Sequence, residues 1–114
     1  MNVRELVMMN AVLVTLINDN ELKAGPLFRL TSLVEKLEPH VKKFEDSRDE
    51  LIKKYGDDNR IEKSSENWDT FSDELNDIFM SEIDIYIVIK LSDIESFNIS
   101  VGDLNVLKPY IEED

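Results

Sequence analysis

A chain of 114 residues with 42% apolar and 8% aromatic content can bury one modest core, which excludes wholesale disorder. It contains no cysteine, so disulfides and thiolate metal sites are excluded, in keeping with a reducing compartment. The net charge of -12 disfavours nucleic acid and anionic membranes as direct partners. That charge is unevenly placed. Residues 1–56 hold nine acids and nine bases, while residues 57–114 hold sixteen acids and four bases. A charged partner of the second half would have to present a basic surface; the plainer role of such acidity is solubility.

Asn2 is placed to cap a first helix from Val3 to about Asn18, with Glu5 at its third position. Its apolar residues lie nearly all round: Val3, Leu6, Val7, Leu13, Val14, Leu16 and Ile17, with Met8, Met9 and Val12 between them. Such a helix is either buried on several sides or covered on one side by another chain. Met8 and Met9 would suit an adaptable contact surface. A β-start at Val3–Val7 stays open, because β-branched residues are frequent there. The apolar run Leu6–Ile17 contains Asn10 and Thr15 and is shorter than the roughly 20 residues a membrane span needs. Arg4 and Glu5 come early and no small-residue cleavage site follows, so no secretory signal is expected.

Asn18-Asp19-Asn20 and Gly25-Pro26 read as breaks, with Pro26 at the first position of the next helix. From Leu27 to Tyr55 an apolar stripe recurs every three or four residues through Leu30, Val34, Leu37, Val41, Phe44 and Leu51, with Arg48 its one charge. Arg48 should mark where the core opens to water or to an acid from the second half. The pairs Glu38–Lys42, Asp49–Lys53 and Glu50–Lys54 mark a solvated face. Pro39 predicts a kink or short break near Glu35–Pro39. Gly56, after Lys53 and Lys54, reads as a C-cap.

Asp57–Asn67 is polar and is expected to be a mobile loop. Asp57, Asp58, Asn59 and Glu62 lack the alternating ligands, central glycine and terminal Glu of a calcium loop, so no calcium is expected. A third helix is predicted from about Glu66 to Met80. Trp68, Phe71, Leu75, Ile78 and Phe79 form its apolar face. Asp69, Asp73 and Asp77 form a row at i, i+4, i+8, with Glu66 one turn before and Glu74 beside it. That row is either a plain solvent face or an acidic ridge for a basic partner.

The period then becomes two. Ile83, Ile85, Ile87, Ile89 and Leu91 alternate with Asp84, Tyr86, Val88 and Lys90, predicting a strand over 83–91. One strand cannot stand alone. Its candidate partners are Asn98–Ser100, Arg60–Lys63, the N-terminal segment or another subunit, and augmentation by a partner chain is one outcome. Leu91–Glu95 reads as a turn or one helical turn capped by Ser92. Ser100 to Asp103 resembles a capping box opening a short helix with Val101, Leu104, Val106 and Leu107, limited by Pro109. Glu112-Glu113-Asp114 is an acidic tail that should fray. The whole reads as one α+β domain, predominantly α: a long central helix packed by two or three shorter helices and a small β element.

No catalytic signature is present. His40 is the lone histidine, and histidine catalysis needs partners. One His and no Cys leave no zinc set. Gly25, Gly56 and Gly102 make no phosphate or dinucleotide loop. A two-carboxylate hydrolase would need a pocket that no spacing marks. The chain therefore reads as non-enzymatic, with no cofactor.

Several short motifs follow one another: Leu37-Glu38-Pro39; Tyr55-Gly56 before the acidic loop; Phe71 and Glu74-Leu75-Asn76; the Ile-rich strand; and Leu91-Ser92-Asp93-Ile94-Glu95. Ile99-Ser100, Asp103-Leu104 and Leu107-Lys108-Pro109-Tyr110-Ile111-Glu112-Glu113 close the series. Over roughly Pro26 to the C-terminus this resembles a family of small proteins from tailed phages and prophages, catalogued only as a domain of unknown function. The resemblance implies a helix–helix–strand protein with an acidic finish, and it carries no functional residues over.

Two functions are then in view. The first is a phage accessory or virion-associated protein acting through protein–protein contacts, located in the host cytoplasm during infection or in the virion. The second is an acidic inhibitor of a host defence or nucleic-acid-binding protein, a partial DNA mimic. Its aspartate row has a spacing of roughly 6 Å, against one charge per roughly 3.4 Å of each DNA strand. The expected partner is a protein with a basic surface, homo-oligomers being a further option, and the expected contact residues are Glu66, Asp69, Asp73, Glu74, Asp77, Met8 and Met9.

Overall fold

The computed structural model describes residues 1–113. Asp114, the end of the predicted acidic tail, lies outside the described residues. Helix α1 spans Val3–Asp19. The Asn2 side chain accepts the Glu5 amide at 2.8 Å while the Glu5 carboxylate accepts the Asn2 amide at 3.2 Å. This reciprocal cap satisfies two otherwise orphaned donors and fixes Val3–Val7 as helix, not strand.

Helix α2 spans Ala24–Tyr55. Its 32 residues cover roughly 48 Å at 1.5 Å per residue, close to the 50 Å length of the molecule. One expectation changes here, and a second, the kink or short break at Pro39, is narrowed. Pro26 occupies the third helical position, after Lys23 and Ala24-Gly25. The first helical amides have no acceptor in any case, so the missing N–H is tolerated there too. Pro39 does not break the helix. Both Pro39 and Glu35 are exposed, so the carbonyl that loses its donor stays in water.

Helix α3 spans Trp68–Phe79. It starts two residues after the predicted Glu66, because Ser65 donates to the Glu62 carbonyl and Trp68 to that of Ser65, which keeps this stretch in turns. Between α2 and α3, Asp57 and Arg60 exchange amide–carbonyl hydrogen bonds of 2.9 and 3.1 Å. Asp58 and Asn59 have φ of 54° and 61°, as a two-residue turn of the primed type requires.

The predicted strand is corrected in extent. Strand β1 is only Ile89–Lys90, and it pairs in parallel with β2, Ile111–Glu112, which was not among the expected partners. Burial still follows the predicted alternation: Ile87 and Ile89 are buried, while Asp84, Tyr86 and Lys90 are exposed. The upstream segment is tied elsewhere. Ile83 donates to the Met1 carbonyl at 2.8 Å, and the Lys36 ammonium bonds the Tyr86 carbonyl at 2.6 Å. Leu91 already begins the short helix α4, Leu91–Ile94, whose N-cap is Lys90 and not Ser92. Helix α5, Val101–Leu107, is capped by Ser100 as predicted, and a 3-10 turn over Lys108–Tyr110 leads into β2.

The core gathers at one end of α2. Leu6, Met9, Leu13 and Leu16 of α1 meet Leu30 and Leu37 of α2, Ile87, Ile89, Ile94 and Leu107. The far half of α2 is covered by α3, through Phe44 stacked on Phe79 with ring centroids 4.8 Å apart. Arg48 lies near the Phe44 ring, 5.9 Å from its centroid, and bonds Asp49 of its own helix, not an acid from the second half.

Candidate partner-binding surfaces

Helix α3 turns its apolar side, Phe71, Leu75, Ile78 and Phe79, towards the protein. The 3.6-residue period then sends Asp69, Asp73 and Asp77 outward, and all three are exposed. Glu66 is exposed too, on the turn before the helix, so it borders the row without being part of it. Glu74 differs. It is half-buried, and its Oε2 has no hydrogen-bond partner. Across from it on α2, the Lys54 ammonium sits 5.0 Å from the Tyr55 ring centroid. The Tyr55 side chain first, and then the charge of Glu74, hold the Lys54 pKa above the usual lysine value. Glu74 thus belongs to the α2–α3 seam, and the outward row carries no base between Trp68 and Phe79.

The two methionines separate. Met8 is 45% exposed, but Met9 is completely buried against the core and cannot touch a partner. The reason is angular: Met9 follows Leu6 by three residues and precedes Leu13 by four, so it shares their inward face. The outer face of α1 also exposes Val14.

A second surface was not read as a site from the sequence. Because β1 and β2 run parallel, the residues before them should also run side by side, but the 3-10 turn at Lys108–Tyr110 carries one away. A wedge-shaped groove of about 490 Å³ opens there, between Ile85–Val88 on one wall and Pro109–Glu112 on the other. Glu5, Glu82 and Glu112 line it. The Met1 amine lies 3.5 Å from Glu82. The Tyr110 hydroxyl bonds Glu5 at 3.0 Å. The sequence signal was present, in a strand with too few partners, but the parallel pairing that creates the wedge joins segments twenty residues apart and has no local signature.

His40 borders a cavity of about 280 Å³ with Lys43, Ser47 and Glu82 on its polar side and Phe44 and Ile78 on its apolar side. Among the described residues no three or more acidic or histidine side chains converge as a metal site, and no helix is long and apolar enough to cross a membrane. No family model, curated protein or solved structure matches this chain.

Proposed function

We propose that this chain is a non-enzymatic accessory protein of a tailed phage, acting by contact with a protein partner that presents a basic surface. The phage setting, with the host cytoplasm or the virion as its location, rests on the resemblance of the motifs from Leu37 to Glu113. The contact reading rests on one observation: the row Asp69, Asp73 and Asp77 faces outward with no base on its helix. Like charges at i, i+4 weaken a helix by roughly 0.2–0.5 kcal/mol per pair, so the row opposes stability and is relieved when a basic surface covers it. Met8 and Val14 add exposed apolar surface on α1.

The partial DNA mimic ranks second. Lys53 and Lys54 close α2 beside α3, and Lys54 already meets the field of Glu74, which interrupts the negative surface such mimicry needs.

The test is affinity capture from infected cells with the intact chain and with an Asp69→Asn, Asp73→Asn, Asp77→Asn triple variant. Recovery of a virion or assembly component by the first and not the second supports the reading. Equal recovery by both sinks the α3 face as the contact. Recovery of a host nucleic-acid-binding protein would move the second reading ahead.

A further inference from the structure

We infer that the groove between Ile85–Val88 and Pro109–Glu112 receives an extended, lysine- or arginine-bearing segment of a partner protein, added as a strand along Ile85–Val88. The inference rests on the protein-contact reading but not on the α3 face.

Three observations carry it. The first is backbone. In the stretch before β1 only Ile83 and Ile85 donate to backbone carbonyls, those of Met1 and Ile83 respectively. Among the described residues the amides of Asp84, Tyr86, Ile87 and Val88 bond to no backbone carbonyl, and the ladder reaches only Ile89–Lys90. Backbone amides outside any ladder are what strand addition uses for affinity. The second is order. The segment is already held in place, with Ile87 and Ile89 anchored in the core and Lys36 holding the Tyr86 carbonyl at 2.6 Å. A preformed edge spares an incoming strand part of the ordering cost. The third is charge. Glu5, Glu82 and Glu112 line the groove, and the cation among its lining residues is the Met1 amine, 3.5 Å from Glu82, so the carboxylates stay in surplus. Tyr86, 74% exposed, adds an aromatic wall over which a cationic side chain can lie.

These features choose among occupants. A flat apolar helix would leave the free amides unpaired, whereas a strand satisfies them. An acidic or neutral strand would gain nothing from a groove in which carboxylates outnumber the one amine. A second copy would bring another acidic half, sixteen acids against four bases over residues 57–114, onto an acidic groove, which like charges disfavour.

The probe is an end-blocked octapeptide alternating lysine with valine or threonine, titrated calorimetrically into the intact chain. A second peptide carries N-methyl groups on alternate amides, and a third replaces lysine by glutamate. The expected result is saturable binding of the first, weakened at least tenfold by N-methylation and abolished for the glutamate peptide. A Glu82→Gln, Glu112→Gln variant should bind the lysine peptide roughly tenfold more weakly. The Asp69→Asn, Asp73→Asn, Asp77→Asn variant should bind it unchanged, which separates failure here from failure of the α3 face. Circular dichroism of each variant confirms folding. Absence of binding, binding indifferent to N-methylation, or loss of binding in the α3 variant overturns the inference. So does a dimer in sedimentation that the peptide dissociates, because the occupant would then be a second copy.

Discussion

The Arg29 guanidinium closes on the Asp93 carboxylate through three hydrogen bonds of 2.6 to 3.0 Å, joining the first turns of α2 to α4. Asp93 is 4% exposed, while the Arg29 side chain is 47% exposed. The two ends therefore differ in what their removal leaves behind. Arg29→Ala strands a buried carboxylate, and breaking a fully buried pair costs about 3–5 kcal/mol. Solvent beside Arg29 screens part of that, so about 2 kcal/mol is expected here. Asp93→Ala removes the buried charge itself and leaves a half-exposed guanidinium, and should cost less. Urea midpoints of the two variants check the order. Equal losses would mean that the carboxylate is hydrated once Arg29 is gone.

Gly56 closes α2 with φ of -105°, so left-handed backbone does not explain it. Space does. A Cβ at this position would collide with the Arg60 carbonyl oxygen and lie 2.8 Å from that of Ile52. Both obstacles are backbone, and Arg60 is fixed by its exchange of hydrogen bonds with Asp57. Gly56→Ala should therefore cost about 1–3 kcal/mol and open the Asp57–Arg60 turn. Hydrogen exchange at the Asp57 and Arg60 amides reads this directly, faster exchange at both being the expected outcome.

Tyr110 ties the chain's end to its beginning. Its hydroxyl donates to Glu5 Oε2 at 3.0 Å, while Glu5 Oε1 accepts the Asn2 amide. Burial first, then the Glu5 hydrogen bond and the charges of Glu5 and Glu82, push the Tyr110 pKa up to about 12 from 10.0. The folded state thus holds this proton more tightly than the unfolded state. The associated stability is fully present below pH 10 and is lost as the pH rises towards 12. Tyr110→Phe should lower stability at pH 8 by about 0.5–1.5 kcal/mol and remove that part of the alkaline decline. Urea titrations of both proteins at pH 9 and pH 11.5 test it; an unchanged alkaline slope in Tyr110→Phe would assign the decline to other groups.

The helices were legible because their signals are local. Asn2 with Glu5, the 27–55 stripe and Ser100 with Asp103 each fix structure within a few residues. The Ile83–Leu91 alternation gave the correct inward face but not the ladder, since period two reports burial and not pairing. Its partner, Ile111–Glu112, lay past the helix limit read at Pro109 and ran into what read as an acidic tail. The Arg29–Asp93 pair, 64 residues apart, has no spacing rule at all. On the acidic face, helical period separated Asp69, Asp73 and Asp77 from the inward residues, but it could not show that Glu74 reaches the α2 seam, where Lys54 supplies the charge it meets.

Pro39 offers the clearest case of local chemistry opposed to the fold. It sits inside the 32-residue α2, where proline removes one amide donor and crowds the preceding turn. Helix-interior proline is less favourable than alanine by about 3 kcal/mol. Here the cost is reduced, because Pro39 and Glu35 both face water and the Glu35 carbonyl can be hydrated. A proline bend opens on the side of its ring, so a bend at Pro39, whose ring lies on the solvent side, would tilt the two halves of α2 towards the protein, where α1 and α3 lie. Pro39→Ala should restore one hydrogen bond and raise stability by about 1–2 kcal/mol. If the bend is also what seats Phe44 on Phe79, the gain will be smaller and near-ultraviolet circular dichroism from the aromatic cluster will change. A stabilised variant with an unaltered aromatic signal would show that α2 needs no bend to cover both its neighbours.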